Sequence, residues 1–470
     1  MAEECENNFD FFVLCDAILC DIPNCHTYMC SMQSSALRAN RCFKADRSRL
    51  FPNAEGIADE WYDYLGKSMS ELENLNDWLA YIYIDGHYMN IEFENLALRE
   101  EYGEEILEVN GIPITQYAAD NMFCSSISYD FANNIPYREV ICFNTKAGEP
   151  VTALVKYPDG STKEKTIYYS LKHSTAFMYE GFYCSGLQDY DFEADQIEAA
   201  PQDCAVYYDE ETDTAYIYIT SFNYYSGTLL YDTFTKYANC RNIIIDVREN
   251  SGGLTGAWQS NIFVPLYSGK LEIDNTAYIE KNKYNGKLFS NPLAFLIYNT
   301  EAISPEELPF ETDSTLKWTK FTETAEYTGE YSGDTADRNI YVLCGANSAS
   351  LTDEFTHYFK KNKLATIIGE NNTKGEGIAP TYISSRLPNT GLFFCYSPFV
   401  AISSDGKDNS VYGTAPDVYV PITVEDYLIN RKLKAEGENT YAYENRLQWD
   451  TALKYTLNDI ETKTALDKAA

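Results

Sequence analysis

At 470 residues with a formal net charge of −35, the chain is too long for one small domain and too uniformly acidic to take nucleic acid as a partner. Hydrophobic residues make up 45% and aromatic residues 15%, enough for packed cores, and no apolar run reaches the length of a membrane span. The composition is that of a globular protein of about two to four units.

Residues 1–90 form a helical N-terminal region. DFFVLCDAILCDI, GIADEWYDYLGKS and SMSELENLNDWLAYIYI mostly repeat apolar residues at three- and four-residue spacing. Ser68, three residues before Glu71, fits a capping box at the head of the third. FFVLCDAILC is short, interrupted by Asp16 and preceded by acidic residues, which does not make a signal peptide. Six of the thirteen cysteines crowd the start, and the odd total leaves at least one thiol free unless a second chain or a ligand takes it. Cys15, Cys20, Cys25 and Cys30, with His26 beside them, are spaced by five residues, a step of about 140° around a helix that scatters them. Pro23 interrupts such a helix, and zinc ligands pair at shorter spacings. Buried or disulfide-linked cysteines are expected and no metal site.

Residues 91–172 change to short strands and turns, EEILEVNGIPITQY and PVTALVKYPDGSTKEKTIYYS, the second folding at Pro-Asp-Gly as a hairpin. Residues 173–203 are a linker of mixed acidic and aromatic residues. Residues 204–430 alternate strands with helices, and NIIIDV and NIYVLC are near-continuous apolar runs, as buried strands of an α/β layer require. Residues 431–470 are again helical, with RLQWDTALKYTLNDI the clearest stretch. The fold class is α/β, an α+β multidomain chain.

Two strand ends carry chemistry. IIIDVRENSGG (243–253) ends a buried strand in Asp246, Arg248, Asn250, Gly252 and Gly253, where paired glycines let backbone N–H groups approach an anion closely. LCGANSASLTDEF (343–355) sets small residues between a strand and a helix, exposing a serine whose following N–H faces an oxyanion. Thr352 and Asp353 suit the helix start, Asp353 through its charge at the positive end of the dipole.

With IIGENNTKGEG after them, these pieces resemble the S41 peptidase family of tail-specific and tricorn-type serine peptidases: a D-x-R-x-N-x-G-G run, a serine before a helix with an acidic residue three on, and a G-E strand end before a glycine-rich turn. The resemblance implies a ClpP/crotonase-like α/β peptidase core with C-terminal helices, no cofactor, and a peptide or unfolded protein segment as substrate; it leaves the oligomeric state open. ILEVNG resembles the centre of a PDZ-like domain, which binds a peptide by strand addition. Ser350 is the nucleophile it implies, with Gly252 or Gly253 and Leu351 as oxyanion donors. Tail-specific members use a lysine at the position held here by Glu376, and a carboxylate cannot take that role; Lys374 sits on a different turn position. Tricorn-type members carry a histidine ahead of the PDZ-like domain, which points to His87 in YIDGHYMNIEF as general base. His357, seven residues past Ser350, lies about two turns down the helix. The family's orienting glutamate before G-x-x-P-D is absent from DGKDNSVYG, leaving Asp408 or Ser410 to orient the histidine. The expected function is a serine endopeptidase working through an acyl-enzyme. The alternatives are a peptide-binding pseudoenzyme on the same fold and, from the forty tyrosines, a binder of small apolar ligands. If Met1 opens a shortened chain, export to the cell envelope or outside is expected from the family; if Met1 is natural, a cytoplasmic place.

Overall fold

The computed structural model describes residues 5, 8–29, 81–90, 103–121, 126–141, 150–167, 204–223, 226–283, 285, 299–333, 338–380, 382–387 and 393–469. The expected helix at GIADEWYDYLGKS, the capping box at Ser68 and the linker 173–203 lie outside them.

The first apolar run is a helix, Asn8–Cys20, followed by β1 (Tyr28–Met29). β2 (Tyr81–Ile84) then turns into β3 (His87–Met89) through Asp85 and Gly86, whose φ values of 45° and 88° suit a two-residue hairpin. Helix was expected through Ile84. The alternating Tyr-Ile-Tyr-Ile run instead favours a strand, and the Asp-Gly turn closes it onto its partner. The small β unit therefore includes Tyr81–Met89, ahead of the expected boundary at 91. β4 (Glu105–Val109) and β5 (Ile112–Pro113) follow, then the helix Ile114–Asp120, β6 (Ile127–Asp130), β7 (Ile135–Arg138) and β8 (Val140–Ile141). β9 (Val151–Lys156) and β10 (Thr162–Ile167) are the hairpin expected at Pro-Asp-Gly. The sheet runs β10-β9-β4-β3-β2-β8, and Tyr81, Tyr88, Ile106, Val109 and Val155 fill its core.

The larger unit holds β11 (Cys204–Asp209), β12 (Thr214–Ile219), β13 (Asn242–Asp246), β14 (Ser268–Glu280), β15 (Asn299–Ile303), β16 (Trp318–Glu330), β17 (Asn339–Cys344), β18 (Thr366–Gly369), β19 (Ile383–Arg386), β20 (Phe393–Tyr396), β21 (Phe399–Ala401) and β22 (Val418–Tyr419). Its central sheet, β11-β12-β13-β17-β18-β22, is parallel except for the β11 edge. Both faces are covered, which explains the unbroken apolar runs. Ile243, Ile245 and Val342 pack with Leu230, Phe234, Phe355 and Phe359 on one side. Ile244, Tyr341 and Leu343 meet Ala452, Leu453 and Ile460 of the helix Thr451–Ala469 on the other. β14 and β16 form a long antiparallel pair flanked by β15 and β21, an arm not foreseen from the sequence. The small sheet docks on the helix Val424–Ala435 through Ile82, Ile84 and Met89 against Val424, Tyr427 and Leu428. Among the described residues no helix is long and apolar enough to cross a membrane.

Candidate active site

Parallel pairing sets Asp246 beside Leu343 and Cys344 beside Gly369, so the loops after β13, β17 and β18 leave the sheet at one edge, where open α/β sheets place their ligands. Backbone bonds stitch the loops together. Ser348 Oγ donates to the Val247 carbonyl at 2.8 Å, Lys374 N–H to the Ser348 carbonyl at 2.8 Å, and Ser350 N–H to the Gly375 carbonyl at 2.9 Å.

Ser350 stands immediately before the helix Leu351–Lys361 with φ 54° and ψ −125°, a conformation rare outside glycine that lifts its hydroxyl clear of the sheet. Gly252 lies against it: a Cβ there, at φ 112°, would sit 2.8 Å from Ser350 Cβ and 3.0 Å from the Leu351 nitrogen. The glycine therefore keeps open the space beside the serine. Gly252 N–H itself donates to Asn250 Oδ1 at 2.9 Å, so it is already engaged, whereas the N–H groups of Gly253 and Leu351 have no acceptor among the described residues. Of the expected oxyanion donors these two are open.

Asp353, buried in the first helical turn, fixes the third loop. Its Oδ1 accepts from Thr373 and Thr414 hydroxyls, and its Oδ2 from Gly377 N–H at 3.0 Å. This brings Glu376, at φ 63°, next to the Gly375 carbonyl that holds Ser350. Glu376 is buried, and its Oε2 accepts His26 N–H at 2.8 Å, faces His26 Nδ1 at 3.0 Å and accepts from Cys25 Sγ at 3.3 Å. Burial pushes the Glu376 pKa up, but its polar contacts, led by those with His26, together outweigh burial and hold the carboxyl below its ordinary range. Burial, and then the Glu376 charge, keep the Cys25 thiol well above its own. His26 is delivered by strand pairing two residues later, where Tyr28 faces Cys395 across β1 and β20, and by Ser397 N–H donating to Thr27 Oγ1 at 3.2 Å. Its ring lies 5.2 Å from that of Tyr382.

The histidine expected from sequence is elsewhere. His87 Nδ1 lies 2.6 Å from Glu105 Oε1 on an exposed face of the small sheet, with Lys156 Nζ 3.0 Å from Glu105 Oε2. No hydrogen bond or ring contact joins it to the Ser350 turn among the described residues. Asp408 caps the short helix Asn409–Tyr412, accepting from Ser410 N–H at 3.0 Å, and the Ser410 hydroxyl donates to the Phe399 carbonyl at 3.5 Å. Both groups are thus engaged locally, although burial and, among other charges, that of Glu376 raise the Asp408 pKa. His357 is buried in its helix. Lys374 pairs with Glu139 of the small unit at 3.3 Å, so it points away from the serine. Asp246 and Arg248 are structural: Arg248 bridges Asp246 and Asp450, and Arg446 closes the buried set. Sequence reasoning passed over His26, separated from Glu376 by most of the chain. The available signal was Glu376 itself, a carboxylate in the glycine-rich turn where a lysine was the alternative.

The sequence pattern of the family described as "Peptidase family S41" matches residues 213–420. That segment is an S41 peptidase domain. The comparison with curated proteins gave no match. Among solved structures, this chain is similar to mature CPAF complexed with lactacystin at 15% identity and TM-score 0.44, covering 76% of this chain and 82% of that one. It is also similar to the photosystem II D1 C-terminal processing protease at 13% identity and TM-score 0.31, covering 75% of each. The tricorn protease is similar at 16% identity and TM-score 0.29, over 82% of this chain and 29% of that one. The S41 match makes the protein a peptidase, and its substrates are peptides or proteins.

Proposed function

We propose that this chain is a tricorn-type S41 serine endopeptidase in which Ser350 is the nucleophile, His26 the general base and Glu376 the group that orients it. The observation that carries this reading is the His26–Glu376 pair, set one residue from the carbonyl that holds Ser350 N–H. With Nδ1–H donated to the ionised Glu376, the imidazole keeps the Nε2 lone pair free, the tautomer a base needs. Nε2 takes the Ser350 proton as Oγ attacks the peptide carbonyl, and the resulting oxyanion is stabilised by the N–H groups of Leu351 and Gly253. The imidazolium returns that proton to the departing amine. Water, deprotonated by the same imidazole, then cleaves the acyl-enzyme and restores Ser350.

His87 is the base expected from the sequence alone, and in that role its ring would have to leave Glu105. The small sheet is read as a PDZ-like unit that holds a peptide end by strand addition.

A fluorophosphonate probe tests the nucleophile. Labelling of wild type that is lost in Ser350→Ala, with unchanged thermal unfolding, is the expected result. Folded wild type that does not label would favour the peptide-binding reading without turnover.

A further inference from the structure

Cys25, His26 and Glu376 do more than support one another. Cys25 Sγ, His26 Nδ1 and a Glu376 carboxylate oxygen all lie within 4.8 Å of one another, with Sγ 3.3 Å and Nδ1 3.0 Å from Oε2. Zinc bonds of about 2.0–2.3 Å place tetrahedral ligand atoms roughly 3.3–3.8 Å apart, so a small outward shift opens a cradle of the right size. A second observation points the same way: among the described residues, the other oxygen of this buried carboxylate, Oε1, meets no donor in hydrogen-bonding geometry. Thiolate, imidazole and carboxylate together suit zinc over magnesium or calcium, which take oxygen ligands.

We infer that Cys25, His26 and Glu376 form an inhibitory zinc site built into the catalytic centre. The inhibitory half rests on the reading of His26 as the base. Zinc on Nδ1 leaves a neutral imidazole whose remaining proton is on Nε2, so the ring donates where it must accept. The metal also takes the Glu376 oxygen that orients the ring. The proton balance closes: the thiol proton passes to solvent, the Nδ1 proton is replaced by one on Nε2, and no redox change occurs.

Metal-free full-length protein is titrated with Zn²⁺ alone by calorimetry in parallel with Cys25→Ser, and the wild-type 1:1 complex is examined by X-ray absorption. One tight site containing a single sulfur scatterer is expected, and Cys25→Ser binds roughly tenfold or more weakly, since even outer-shell changes cost that much. Fluorophosphonate labelling of wild type falls at least about tenfold with one equivalent of zinc and returns with a chelator, while Cys25→Ser, measured against its own metal-free rate, needs correspondingly more zinc. Equal affinity in a Cys25→Ser protein of native circular dichroism, or two or more sulfurs at the metal, overturns the site. Wild type that does not label even without zinc overturns the serine reading and the inhibitory half with it, whereas calorimetry and absorption decide the site independently.

Discussion

Ser350 holds a left-handed backbone that L side chains adopt at a cost of about 1–3 kcal/mol. Both Ser350→Gly and Ser350→Ala should stop labelling, but Ser350→Gly relieves that strain, so its denaturant midpoint should lie above that of Ser350→Ala by an amount worth about 1 kcal/mol. Equal midpoints would mean the turn is unstrained. Glu376→Gln keeps the shape and loses the charge that fixes the His26 tautomer, so kcat/KM should fall about 100-fold to 10,000-fold with the fold intact. Glu370, half-buried where β18 ends but with its carboxylate Oε2 enclosed, has its pKa raised to about 8, mainly by desolvation. Its folded value lies above the ordinary 4.5 of a glutamate, so the folded state binds the extra proton between those limits. Stability is therefore lost as pH rises through that window, by up to about 1.4 kcal/mol per pH unit from this group. Glu370→Gln should flatten the fall in urea midpoint between pH 5 and pH 8 relative to wild type, and an unchanged slope would place the ionisation elsewhere.

At the scale of elements, the site depends on three loops leaving parallel strands at one edge and on glycines where loops touch. A Cβ on Gly252 would meet Ser350 and crowd the Leu351 nitrogen, so Gly252→Ala should cut labelling about 100-fold or more, and near-wild-type labelling would remove that cradle from the account. The buried Asp246, Arg248, Arg446 and Asp450 set ties the C-terminal helices to the sheet; Arg248→Met leaves carboxylates underpaired and should cost about 3–5 kcal/mol in denaturant unfolding. The loops were legible in the sequence because each is a local pattern: an apolar run, then Gly-Gly, Ser before a helix, or Gly-Glu. The strand at Tyr81–Ile84 was less so, since four residues of Tyr and Ile fit the end of a helical period as well as a strand. The arm of β14 and β16 escaped because its two strands pair across a long intervening segment, a register that no local pattern fixes. The two histidines differ in legibility: His87 beside Asp-Gly matches a local motif, whereas the pairing of His26 with Glu376 is created only when β1 joins β20.

For the whole molecule, the formal net charge of −35 gives a field that attracts cationic peptides and fades with salt. Peptides rich in Lys and Arg should show kcat/KM falling several-fold between about 0.05 M and about 0.5 M salt, and neutral peptides little change; parallel behaviour of the two sets would exclude steering. The N-terminal segment, the β6–β7 hairpin of the small unit and the peptidase core meet around the loop after β18, where Asn371 bonds the backbone of Tyr129 and Phe131 and Glu376 holds His26. The central claim is that the first of these parts supplies the base. It is tested most directly by the rate of fluorophosphonate labelling in His26→Ala and His87→Ala beside wild type, each checked for native unfolding. The account predicts labelling lost in His26→Ala and kept in His87→Ala; labelling kept in His26→Ala and lost in His87→Ala would contradict it.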